Sequence, residues 1–86
     1  MSKREIIIET FPDETFMFAD GFDDAILGIC EATNRIIYSK QRIIEILVMK
    51  EEMEYDDALD YFGFNIAGSY VGEMTPIFCH SIFDTL

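Results

Sequence analysis

The chain has 86 residues, half of them apolar and eight of them Phe, and its six Lys or Arg against 17 Asp or Glu give a net charge of −11. A length of this order sets a single domain, 1–86, that buries about 60–65% of the surface its unfolded form exposes, and the apolar content excludes a disordered acidic tail. The scattered cations provide no continuous basic footprint, which argues against direct binding to nucleic acid or to an anionic membrane.

Met1 is followed by a polar, charged stretch, and Ile6 to Ile8 is too short for a signal-peptide core. No run is long enough to cross a bilayer, so a cytoplasmic location is expected. Glu5 to Phe11 is rich in β-branched residues and stops at Pro12, which predicts a strand. Pro12-Asp13-Glu14 reads as a turn, Thr15 to Ala19 as the returning strand of a hairpin, and Asp20-Gly21 as a second turn that uses a positive φ. Ala25 to Glu31 is nearly all apolar and predicts an interior strand; Thr33-Asn34 reverses the chain into a strand over Arg35 to Tyr38.

Ser39 then serves as an N-cap, with Ile43, Ile44, Leu47 and Val48 at helical spacing up to Lys50. A second helix is predicted from Glu54 or Tyr55, with Ala58, Leu59, Phe62 and Ile66 as its apolar stripe and Gly72 as a left-handed cap. Gly63 and Gly68 inside it are expected to permit close packing or a bend. Thr75 to Cys79 is a short last strand. The predicted fold is α+β, an antiparallel four- to five-stranded sheet with two helices packed on one face. Cys30 and Cys79 have neither metal-ligand nor disulfide-scaffold spacing and are expected to be reduced and buried.

All cations lie at or before Lys50, and six of the eight carboxylates that follow fall between Glu51 and Asp60. The plain reading of Glu51, Glu52, Glu54, Asp56, Asp57 and Asp60 is that they favour the positive end of a helix and solvate its outer face. The sharper reading is a partner-binding face that imitates a run of phosphates and meets a basic protein, with Tyr55 and Tyr61 as aromatic anchors. Asp20, Asp23 and Asp24 share a loop that could offer oxygen ligands to Mg²⁺ or Ca²⁺. Their spacing fails the calcium-loop pattern, and a turn held by Asp side chains fits better.

Asn65, Tyr70 and Glu73 lie among glycines that would let a small molecule approach the backbone, although a partly buried structural Asn65 accounts for the same residues. An anionic ligand there would need Arg35, Lys40 and Arg42 to converge, near the start of the first predicted helix. Cys79 and His80 are adjacent on a strand and so point to opposite faces, which denies them a nucleophile–base pairing. No catalytic or cofactor motif is complete, and no enzyme and no cofactor are expected.

Ala19-Asp20-Gly21-Phe22-Asp23-Asp24-Ala25-Ile26, Ile37-Tyr38-Ser39, Asp57-Ala58-Leu59-Asp60-Tyr61, and Phe64 through Glu73 followed by Thr75-Pro76 together resemble a group of small acidic proteins encoded by tailed bacteriophages. The resemblance spans roughly residues 19–78 and implies a setting rather than a mechanism, that of an accessory phage protein made in an infected cell, where proteins of this size often bind and block a host defence or host-machinery component. The leading expectation is therefore stoichiometric binding of the acidic face to a basic host protein that handles nucleic acid or serves defence. A small-molecule-binding module that sequesters a ligand such as a nucleotide, and a structural subunit of a phage assembly, are the alternatives. The apolar surplus also leaves surface for a homodimer.

Overall fold

A computed structural model of the chain describes residues 2–68 and 72–80. Their elements run α1 (Lys3–Thr10), β1 (Ile26–Ile29), β2 (Ile36–Ser39), α2 (Lys40–Lys50), α3 (Tyr55–Tyr61) and β3 (Ile77–Cys79). A 3₁₀ turn over Asp23–Ala25 precedes β1, and a π-helical segment over Phe62–Ile66 extends α3. The fold is α+β, but among the described residues its sheet has three strands in the order β1-β2-β3 and is mixed. The expected antiparallel sheet of four or five strands is not what forms.

Two physical causes account for the difference. The first lies in the N-terminal segment, which the β-branched run predicted as a strand and which folds as α1. Ser2 caps it, its Oγ accepting from the Glu5 N–H at 3.2 Å. The helix also sends two cations to one loop: Lys3 Nζ donates to the carbonyls of Asp24 and Ile26 at 3.0 and 2.9 Å, and Arg4 pairs with Asp20 at 2.9 Å and Asp23 at 3.2 Å. A cap and these long-range bonds outweigh a preference whose whole scale spans about 1 kcal/mol. Thr15 to Ala19 consequently has no strand to pair with, and edge contacts between Phe11, Phe16 and Phe18 hold this stretch instead of a ladder.

The second cause is the return path. From β2 the chain passes directly into α2, reverses through Glu51–Glu54 into α3, and arrives at β3 running in the same direction as β2. Strands joined through such a crossover pair in parallel, so Ile37, Tyr38 and Ser39 face Ile77, Phe78 and Cys79.

The other elements follow the sequence pattern, except that the apolar run predicted as an interior strand forms the outer strand β1, because β2 is the strand paired on both sides among the described residues. β1 and β2 form the expected hairpin, closed by a loop in which Asn34 is left-handed at φ 56° and donates its N–H to the Cys30 carbonyl at 2.7 Å. Leu27 is an extra residue in β1, a bulge on an outer strand of the sheet. Ser39 caps α2 with its Oγ accepting from the Arg42 N–H at 3.2 Å, and Lys50 stands in the last turn. In α3 and its extension Ala58, Phe62 and Ile66 are buried and Leu59 half-buried, so the apolar stripe is present. The helix ends by Ala67 and Gly72 does not cap it; Gly72, at φ 105°, opens a turn whose carbonyl accepts from Thr75 Oγ1 at 2.8 Å. Gly63 sits in the π-helical segment where an added Cβ would meet nothing, so it marks the distortion and permits no close packing.

The core gathers on β2. Ile36, Tyr38 and Ser39 are fully buried, with Ile43, Ile44 and Leu47 of α2 beside them. The Tyr38 ring stacks on Phe78 at 5.8 Å, Phe62 meets Phe78 edge-on at 5.3 Å, and the Tyr38 hydroxyl accepts the buried Ala19 N–H at 2.7 Å. Tyr38→Phe keeps the ring and strands that N–H, so the expected cost is about 1–3 kcal/mol. Urea denaturation should show a lower midpoint at unchanged slope; an unchanged midpoint would count against this bond.

Candidate functional site

The turn between α2 and α3 concentrates the negative charge. Glu51 follows α2 and donates its N–H to the Leu47 carbonyl at 3.2 Å; Glu52 is left-handed at φ 55°; Met53 then turns its own N–H to the same carbonyl at 3.3 Å. This geometry folds the chain back so that half-buried Met53 packs on the core. Glu54 precedes α3 without a capping side-chain bond, and Asp56 and Asp57 occupy the first turn. All six carboxylate residues of the cluster are exposed, and none forms an ion pair among the described residues.

Helix electrostatics explains half of them. Glu54, Asp56 and Asp57 lie at the positive end of α3, where each carboxylate is favourable by about 0.3–1 kcal/mol. Glu51 and Glu52 lie at the negative end of α2, where the same field opposes them, and Asp60 lies beyond the first turn of α3. Glu52 also holds a backbone conformation that costs an L-residue about 1–2 kcal/mol.

Beside this turn runs a groove of about 450 Å³ between α2 and α3. Ile44 forms its floor and Val48 and Leu59 its half-buried walls; Met49, 81% exposed, and Tyr55, 62% exposed, stand at the end next to the acidic turn. Lys40, Gln41, Glu45 and His80 complete it toward the start of α2. Asp56 and Asp60 follow Tyr55 and Leu59 by one position, about 100° further round α3, and so border the groove on its outer side. Tyr61 is exposed but six positions from Tyr55, on a different side of the helix. The two tyrosines, both exposed, therefore face different sides.

The remaining candidates separate. In the Asp20, Asp23 and Asp24 loop the guanidinium of Arg4 takes the place a cation would hold, bonded to the first two carboxylates and resting 4.6 Å from the Phe18 ring centroid. The Asp20 bond leads the effects that raise Arg4 above its ordinary pKa, so this pairing stays charged. No group of acidic, His or Cys side chains among the described residues is arranged to hold a metal.

Asn65 is exposed, not partly buried, and Glu73 is exposed in the turn after Gly72; Tyr70 lies outside the described residues. Arg35, Lys40 and Arg42 do not converge. Arg35 donates through Nε to the Thr75 carbonyl, Lys40 lines the α2–α3 groove with its ammonium 5.4 Å from the Phe62 centroid, and Arg42 lines a separate groove beside Ile6 and Leu27. Both cysteines are half-buried, more open than expected. Thr33 and neighbouring N–H groups hydrogen-bond the Cys30 sulfur and lower its pKa. His80 Nδ1 lies 3.4 Å from Gln41 Nε2.

The sequence reading missed the groove and the exposed apolar residues Met49 and Phe64, the latter 83% exposed on the π-helical segment. A signal existed for Met49, an apolar residue just past the core-facing stripe of α2. Searches of protein-family models, curated proteins and solved structures return no match. No helix among the described residues is long and apolar enough to cross a membrane.

The strain at Glu52 is testable without any partner. Glu52→Gly relieves the left-handed backbone and one opposed charge while loosening the unfolded chain, for an expected net stabilisation of about 0.5–1 kcal/mol. A rise in the urea midpoint would bear this out, whereas a fall would show that the Glu52 side chain supports the turn.

Proposed function

We propose that this chain is a non-catalytic protein that binds a basic protein stoichiometrically through the exposed acidic surface around the α2–α3 turn. The observation that supports this reading is the placement of Glu51, Glu52 and Asp60, which have no ion pair among the described residues and stand where helix electrostatics gives them no stabilising role. Crowding six carboxylates into ten residues raises the free energy of the folded state, and a cationic partner removes that penalty on binding. A basic surface that ordinarily receives phosphates is the best match to such a run of negative charge. The resemblance to small acidic phage proteins fits a host nucleic-acid-handling or defence protein as that partner, met in the cytoplasm of an infected cell.

The nucleotide-sequestering alternative loses its support because Arg35, Lys40 and Arg42 face different surroundings and Asn65 and Glu73 line neither groove.

The test is capture from a bacterial lysate on immobilised protein at about 0.1 M and about 0.5 M salt, where screening of exposed charges differs strongly. The expected result is a basic protein retained at low salt and released at high salt. The triple variant Asp56→Lys, Asp57→Lys, Asp60→Lys should lose at least about an order of magnitude in its affinity for that protein while its circular dichroism stays native. Equal retention by the triple variant would contradict the proposal.

A further inference from the structure

We infer that the groove between α2 and α3 receives an amphipathic, Lys/Arg-rich helix of the partner, so that apolar anchoring and charge pairing occur at one place. This rests on the acidic-face reading above and specifies how that face is engaged.

The walls favour a helical occupant. Both sides of the groove are helices whose backbone groups are already bonded internally, so they offer side chains and no strand edge to an incoming chain. The α2 wall runs from Gln41 to Met49, about 12 Å at helical rise, which matches two turns of a partner helix carrying apolar residues at i, i+3 or i+4, and i+7. Met49 and Tyr55 are the large apolar side chains left most open along it, and neither contributes to the core. Exposed Met supplies an adaptable contact and Tyr a rigid one.

Charge selects among occupants. Asp56 and Asp60 border the outer side, and Glu51, Glu52 and Glu54 lie in the turn that joins the two walls between Met49 and Tyr55. A second copy of this chain would bring the same carboxylates face to face, and an anionic ligand would meet the same repulsion. A helix with Lys or Arg beside its apolar stripe satisfies both the groove and its border. Lys40 at the opposite end sets polarity along the groove, so the cations of the partner helix belong toward the acidic turn.

The test uses two synthetic peptides of about 15 residues, the length at which an isolated helix becomes stable. One places Leu at helical spacing with Lys elsewhere; the other has the same composition scrambled. Binding is measured by fluorescence anisotropy and by backbone amide NMR on the full chain. The patterned peptide should bind at least tenfold tighter than the scrambled one and shift the amides of Ile44, Val48 and Leu59. The variant Met49→Ala, Tyr55→Ala alters exposed side chains only, so its fold should persist, and it should erase that tenfold preference. Asp56→Asn, Asp60→Asn should flatten the salt dependence while leaving the preference for the pattern.

Equal binding of the two peptides, lost on removing the carboxylates, would overturn the groove and leave the acidic face standing. Binding of neither would overturn both. Groove amides that shift with protein concentration alone, with no peptide present, would assign the groove to a second copy and overturn the inference.

Discussion

Burial of Tyr38 on the central strand is the constraint from which the rest of this small fold follows. Its ring stacks on Phe78 of the neighbouring strand β3, which in turn meets Phe62 edge-on. Its hydroxyl reaches across to the Ala19 N–H, a donor with no ladder to join because the N-terminal segment is helical. One side chain thus ties the irregular segment before β1 to β3, across the central strand. The next residue, Ser39, ends the strand and caps α2, so the direction of that helix is set by the same central strand. A core in which a dozen hydrophobic residues are buried among those described tolerates little loss at such a point.

The position of α2 decides what the surface can do. With Ile43, Ile44 and Leu47 turned inward, the helix presents Val48 and Met49 toward α3, and the abrupt turn at Glu52 brings Tyr55 and Leu59 alongside. The apolar groove and the acidic turn are therefore two products of one reversal of the chain. Packing fixes the groove; nothing in packing requires the carboxylates beside it. That separation is why the charged face is read as a binding surface: Glu51 and Glu52 stand against the field of α2, and Glu52 adds a left-handed backbone where glycine is the ordinary choice.

The second half of the chain was largely legible from its sequence, because Ser39, the α2 periodicity and the Ala58-Leu59-Phe62-Ile66 stripe are local signals that the tertiary structure supports. The N-terminal third was not. Three successive isoleucines speak for a strand, and what overrides them is the reach of Lys3 and Arg4 to residues some twenty positions on, which no local pattern encodes. The parallel pairing of β3 was hidden for a similar reason, since strand direction depends on the crossover and not on the strand. At the site, the acidic cluster was visible as composition and the groove was not, because it forms from two helix faces that are each unremarkable alone. The candidate cation loop shows the converse: three aspartates looked available, and an internal arginine already occupies two of them.

If part of the acidic turn is carried against the stability of the fold, the cost is measurable by comparing the unfolding free energy of the native chain with that of Glu51→Gln, Glu52→Gln, Asp60→Asn, in urea, from low to high salt. The substituted chain should be more stable by about 1 kcal/mol at low salt, with the gap closing as salt screens the native carboxylates. A substituted chain that is less stable at every salt concentration would contradict the claim and return these residues to a structural role.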